Sequence, residues 1–169
     1  MPYILQKSQN QLPKTGQTTS YQAGDDGDYE AGWNGGTRFI EKTISGDAVV
    51  IDHATGLMWP KDWNGAASDY NATKSFYNAI IFANNLVFAG FSDWRIPNIN
   101  EYLTLIDYSR YALALPTIFT PSPVNGTYRT STSSAYNTSR CWTISFYYGA
   151  QSYSSTKADL FYFIVCRSL

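Results

Sequence analysis

Charge is what this chain has least of. Asp, Glu, Lys and Arg make up 15% of its 169 residues, against an average of about 25%. The balance is a net −1, and no run of Lys or Arg forms a basic stripe. A protein that tracks nucleic-acid phosphates needs such a stripe, so nucleic acid is not an expected partner. Histidine occurs once, at His53, and cysteine twice, at Cys141 and Cys166. Two cysteines are too few for a disulfide framework. They pair only if the last strands bring their Cα atoms within about 7 Å. One histidine in turn-like sequence, with no nucleophile motif beside it, gives no catalytic triad. Clustered His and Cys, which a transition-metal site needs, are missing. No apolar run approaches the ~20 residues of a membrane span. The first residues lack the basic and apolar regions of a signal peptide. The chain therefore reads as a non-enzymatic domain without a membrane span.

Aromatics are what the chain has in excess, at 17%, with 14 Tyr and 5 Trp. High aromatic content with low charge excludes a disordered chain. At this length a single domain buries roughly 70% of the unfolded surface, so a real core is available.

Residues 1–36 are rich in Gly, Asp, Thr and Gln and read as the loop-rich start of the domain. Leu12-Pro13-Lys14-Thr15-Gly16 spells a sortase pentapeptide, but no hydrophobic segment and basic tail follow it. Asp25, Asp26 and Asp28, spaced around Gly27, are the one dense carboxylate cluster. They form a candidate calcium loop, though without EF-hand spacing; the alternative is a solvated turn. Val49–Ile51 and Leu57–Trp59 flank turn residues and predict a hairpin. Phe76, Ala79, Ile80, Ala83, Leu86 and Val87 fall on one helical stripe, which predicts a helix over 75–87 closed by Gly90. Asn98 with Glu101 three residues on predicts the capped start of a second helix. Strands follow around 128–131, 141–147 and 161–165. Helices followed by strands, without βαβ alternation, give an α+β class.

The stretch 128–169 is dense in Tyr, Ser, Thr and Phe and nearly free of acids. Rigid aromatics mixed with small hydroxyls are the composition of evolved binding surfaces. Cys141 to Tyr147 alternates strictly. Trp142, Ile144 and Phe146 are expected on a core face, and Cys141, Thr143, Ser145 and Tyr147 on an outward face. The expected ligand-binding set is Arg129, Tyr136, Ser139, Arg140, Cys141, Thr143, Ser145, Tyr147, Tyr148, Tyr153, Asp159 and Phe161. The ordinary alternative is a solvent-facing strand of β-favouring residues. Trp59 and Trp94-Arg95 are expected as scaffold rather than as a sugar-stacking platform.

Several segments together resemble one family. They are residues 12–21 with Gly24-Asp25-Asp26-Gly27-Asp28, then Thr55-Gly56-Leu57-Met58-Trp59. The most specific is Phe91-Ser92-Asp93-Trp94-Arg95-Ile96-Pro97-Asn98, continued by Glu101, Leu105 and Ile106-Asp107-Tyr108. Thr130-Ser131-Thr132, Trp142 and Cys166-Arg167 complete it. From about Leu12 onward, the chain resembles the C-terminal domain of bacterial collagen-like adhesins of the Lcl type. The resemblance implies a C-type-lectin-like fold, two helices flanking a small twisted antiparallel sheet, over residues 37–169. Some members are adhesin tips that bind sulfated polysaccharides. Others resemble variable proteins of diversity-generating retroelements, whose C-terminal segment is mutagenised at adenines. The chain departs from the family at Arg129, where tryptophan is usual, at Cys141, where alanine is frequent, and at the compressed Val165-Cys166-Arg167. These departures favour a variable segment over 128–169. They imply a protein or cell-surface ligand, glycans included, and a place at a cell surface or virion. A fixed polysaccharide-binding adhesin domain is the alternative. Formylglycine-generating enzymes share the lectin-like fold and use a cysteine pair, so an oxidative enzyme is a third, formal reading.

Overall fold

A computed structural model describes residues 12–69, 72–121 and 125–169. Among the described residues, two antiparallel sheets, three short α-helices and one 3-10 turn (Ala66–Ser68) build an α+β domain. Strands β1 (Phe39–Ile44) and β2 (Asp47–Asp52) meet at Ser45-Gly46. Both turn residues have positive φ, 52° and 92°, the backbone that a two-residue hairpin of matching twist demands. The one expected hairpin follows: β3 (Leu57–Pro60) pairs antiparallel with β2. Strand β7 (Arg167–Ser168) completes the sheet in the order β1-β2-β3-β7.

At β2 and β3 this sheet is buried on both faces, while β1 exposes Glu41, Lys42 and Thr43. Val50 pairs with Trp59 and Asp52 with Leu57, whereas Val49 pairs with Pro60 and Ile51 with Met58. Successive side chains alternate across the pleat, so Val50, Leu57 and Trp59 enter one apolar cluster and Val49 and Met58 another. Asp52 lies fully buried among them. Its carboxylate takes a forked pair of bonds from Arg38 at 2.9 and 2.7 Å and a third from the Ala54 N–H.

After the short α1 (Asp26–Tyr29), the longer α2 (Phe76–Asn85) starts at Ser75, whose hydroxyl accepts the Asn78 N–H. Ala79 and Ala83 are fully buried and join Val49 and Met58 in the second apolar cluster. The helix ends two residues before the expected Val87. The Asn85 amide donates to the Ile81 carbonyl at 2.9 Å, and Leu86 turns to extended backbone. Helix α3 (Ile99–Leu103) begins with the predicted capping box: Asn98 accepts the Glu101 N–H and Glu101 accepts the Asn98 N–H. Arg95 holds Glu101 with two further bonds of 2.7 and 2.6 Å.

The second sheet has the order β4-β5-β6, from Thr127–Ser133, Arg140–Ser145 and Ala150–Thr156. The expectation of one small sheet flanked by two helices is corrected to two sheets. The physical reason lies in residues 161–165, which make only isolated bridges, Lys74 with Phe161 and Tyr128 with Tyr162. Phe163, Ile164 and Val165 run through the interior instead. Strand β6 takes the place expected for them.

The main cluster packs Trp59, Trp63, Tyr102, Tyr128 and Phe146 between the two sheets and α3. Tyr102 is fully buried, yet its hydroxyl donates to the Ile164 carbonyl at 3.1 Å and accepts the Ile164 N–H at 3.2 Å. Burial pushes that phenol's pKa well up.

Candidate ligand-binding surface

Strand β5 does alternate, but neither face is simply core or solvent. Ile144 and Phe146 are fully buried. The Phe146 ring lies 5.2 Å from Trp63, 5.7 Å from Tyr102 and 5.6 Å from Tyr128. Trp142, on the same face, is only half-buried. Its ring rests on Tyr153 of β6 at 5.6 Å, outside both apolar clusters.

The opposite face corrects three expected contact residues. Arg129, Cys141 and Thr143 are buried. Phe161 and Phe76 come over this face, with the Arg129 guanidinium 5.1 and 6.0 Å from their ring centroids. Arg129 donates Nε to the Lys74 carbonyl at 3.3 Å, one Nη to the Cys141 Sγ at 2.9 Å, and the other Nη to the Asp159 carbonyl. Thr143 shares a 3.2 Å hydrogen bond with the Ser155 hydroxyl. Burial lowers the Arg129 pKa. It also raises that of the Cys141 thiol, against the opposing pull of Arg129.

Cys141 and Cys166 are both free and buried. The Cys166 thiol faces Glu101, with Sγ 4.0 Å from Oε2, and burial pushes its pKa up to about 12. No disulfide joins the late strands.

The remaining predicted residues reach the surface. Tyr136 is 90% exposed in the β4–β5 loop. Beneath it, Asn137 Oδ1 accepts both the N–H and the hydroxyl of Ser139, at 3.0 and 2.7 Å, and so shapes the loop. Ser139, Tyr148, Tyr153 and Asp159 are exposed; Arg140, Ser145, Tyr147 and Phe161 are half-buried. Asp159 closes its own turn by accepting the Thr156 N–H at 2.8 Å, which lowers its carboxyl pKa.

Tyr147 and Tyr148 occupy the β5–β6 turn with ring centroids 4.9 Å apart. The turn closes at Gly149, whose φ is 63° and where a Cβ would come within 3.2 Å of Ala114. Tyr111, 80% exposed, adds a third ring 6.3 Å from Tyr147. It sits in the irregular chain after α3, where no periodicity marks it. Only tertiary contact brings it to the site.

The acidic cluster is a capping device. The Asp25 carboxylate accepts N–H groups of Tyr21, Gln22 and Asp28, and these bonds lower its pKa, that from Tyr21 most. Asp28 accepts the Gly24 N–H, and Asp26 the Thr15 hydroxyl. Oxygens turned onto backbone donors are not converged on a cation. Among the described residues no group of three or more His, Cys, Asp or Glu is arranged to hold a metal. No helix among them is long and apolar enough to cross a membrane. Trp59 and Trp94 are buried scaffold, as expected.

These features define an α+β domain with a hydroxyl-rich, aromatic outer face around its second sheet. More particularly, the Lcl C-terminal domain model matches residues 48–167, and the chain belongs to that family. Comparison with curated proteins found no match.

Proposed function

We propose that this is a non-enzymatic ligand-binding domain that recognises a protein or cell-surface partner through the β4–β6 sheet and its two end loops. The observation that carries the reading is the exposed set Tyr136, Tyr148, Tyr153 and Tyr111, seated on ordered strands and turns. Tyrosine presents a large contact area with few rotors to freeze, and exposed aromatic surface marks interaction sites. Membership of the Lcl family supports an adhesin-like role. The finer reading is a C-type-lectin-like scaffold whose late segment is diversified by a retroelement. It is supported by the concentration of exposed Tyr, Ser and Thr within 128–160.

The alternative, a fixed domain for sulfated polysaccharide, asks for free cations. None of the four cations in 128–169 stands free of the fold, Arg140 included. Arg129 is interior. Arg167 forks onto Asp93 at 2.7 and 3.1 Å. Lys157 lies 4.7 Å over the Phe76 ring. A glycan array with sulfated and neutral members, read at low and at moderate salt, separates the two. Binding confined to sulfated members and lost with salt overturns the proposal in favour of the adhesin. The retroelement reading fails if the neighbouring DNA holds neither a reverse transcriptase nor a near-identical template repeat.

A further inference from the structure

Two clefts lie beside the start of α2. One, about 390 Å³, has Lys74, Asn78 and Ile81 on one wall and Leu160 on the other. The second, about 530 Å³, lies between Tyr77 on one side and Ser139, Thr156 and Lys157 on the other. Each cleft thus has one wall from residues 73–82 and another from the end of β6 and the chain leaving it, joined in the second cleft by Ser139 just before β5. The walls are tied by backbone bonds: Lys74 N–H to the Phe161 carbonyl at 3.0 Å, Phe161 N–H to the Lys74 carbonyl at 3.2 Å, and Phe76 N–H to the Lys157 carbonyl at 2.9 Å.

Arg129 lies under this seam. One planar fork donates to the Lys74 carbonyl on the first wall, the Asp159 carbonyl on the second, and the Cys141 thiol on the sheet below. The rings of Phe76 and Phe161, one from each wall, lie against it. All three acceptors are neutral, so the bonds do not serve an ion pair. They fix where two carbonyls stand relative to one strand. Arginine suits this because its donors diverge from a rigid plane, whereas lysine offers one nitrogen on a flexible stem. Without the fork, the Asp159 carbonyl loses its donor and the Lys74 carbonyl keeps only the Phe161 N–H, a cost that favours opening of the seam.

We propose that Arg129 is the positioning residue of both clefts: an interior side chain that sets the separation of their walls without reaching the outer surface. Its importance for recognition rests on the ligand-binding reading above; the clamp itself does not. A change at residue 129, or at its partner Cys141, then reshapes the outer surface from within.

Hydrogen exchange on the unliganded protein tests this, so failure of the clamp and failure of the ligand reading stay distinct. In Arg129→Lys and Arg129→Met, the amides of Lys74, Phe76 and Phe161 are expected to exchange at least tenfold faster, while β1–β3 exchange as before. A purely volumetric role would be rescued by Met, and a purely electrostatic one by Lys. Wild-type protection of the seam in either variant overturns the proposal. So does a uniform rise across seam and β1–β3 alike, which would make Arg129 a general core residue. If neither variant folds, Cys141→Ala removes one acceptor with little volume. Faster exchange confined to the seam then supports the clamp, and unchanged exchange overturns it.

Discussion

Trp142 in β5 and Phe146 just past its end fall on the same side of the alternation, yet their surroundings give them unequal energies. Phe146 is enclosed by Trp63, Tyr102 and Tyr128, and truncating a buried Phe to Ala costs about 3–5 kcal/mol. Trp142 keeps one ring partner, Tyr153; such a pair is worth about 0.5–1.5 kcal/mol, and less where solvent reaches it. The assay is urea unfolding followed by far-UV circular dichroism, which does not lose its signal with a tryptophan. With a slope of about 2 kcal/mol per M for a domain of this class, Phe146→Ala should lower the midpoint by about 2 M. Trp142→Ala should lower it by less than about 0.7 M. Equal shifts would refute the reasoning, because they would make Trp142 a core residue. So would a Phe146→Ala shift below about 0.5 M.

Three more outcomes follow from the interior. Asp52→Asn, which breaks the forked pair with Arg38 at a fully buried carboxylate, should cost about 3–5 kcal/mol in the same urea assay. Asn98→Ala should cost about 1 kcal/mol through loss of the α3 cap, while Glu101→Gln should keep the box but lose the charge held by Arg95; thermal melts of the two variants check the order. Alkaline pH should destabilise the fold. Cys166 is raised to about 12, and Tyr102, Tyr128 and Cys141 are raised as well, so each stays protonated in the folded state after its unfolded counterpart has ionised. Their contribution is whole below the unfolded thiol pKa of about 8.5, and then falls by about 1.4 kcal/mol per pH unit for each group in its window. Urea midpoints from pH 8 to 11 measure it, and a Cys141→Ala, Cys166→Ala variant should delay the fall to about pH 10, where tyrosine takes over.

The sequence made legible those elements whose signals are local. Asn98 with Glu101 named a capping box, Ser75 a helix start, and residues 49–59 a hairpin, because each rests on chemistry within a few positions. Strand β6 escaped notice because Ala150–Thr156 carries no apolar alternation: its pairing with β5 is supplied by backbone, and much of it faces water. The alternation of 141–147 put Ile144 and Phe146 in the core, where they are, and Trp142 with them, which is only half-buried. It did not reveal that Phe76 and Phe161, from far along the chain, cover the second face at Cys141 and Thr143. Arg129, Cys141 and Thr143 therefore look like contacts in the sequence, and Tyr111 does not, for the same reason. The fold decides both through long-range neighbours that no window of sequence contains.

The return of the last strand to the first sheet bears on how any partner is met. Strand β7 pairs with β3, the Leu169 N–H donates to the Gly56 carbonyl at 3.0 Å, and Phe163–Cys166 are interior. The segment proposed for recognition is thus a closed bow, fastened at β4 on one side and at β3 on the other. A surface held taut in this way has little chain freedom left to surrender on association. Affinity can then be altered by exchanging single side chains, with the backbone that carries them left where it is.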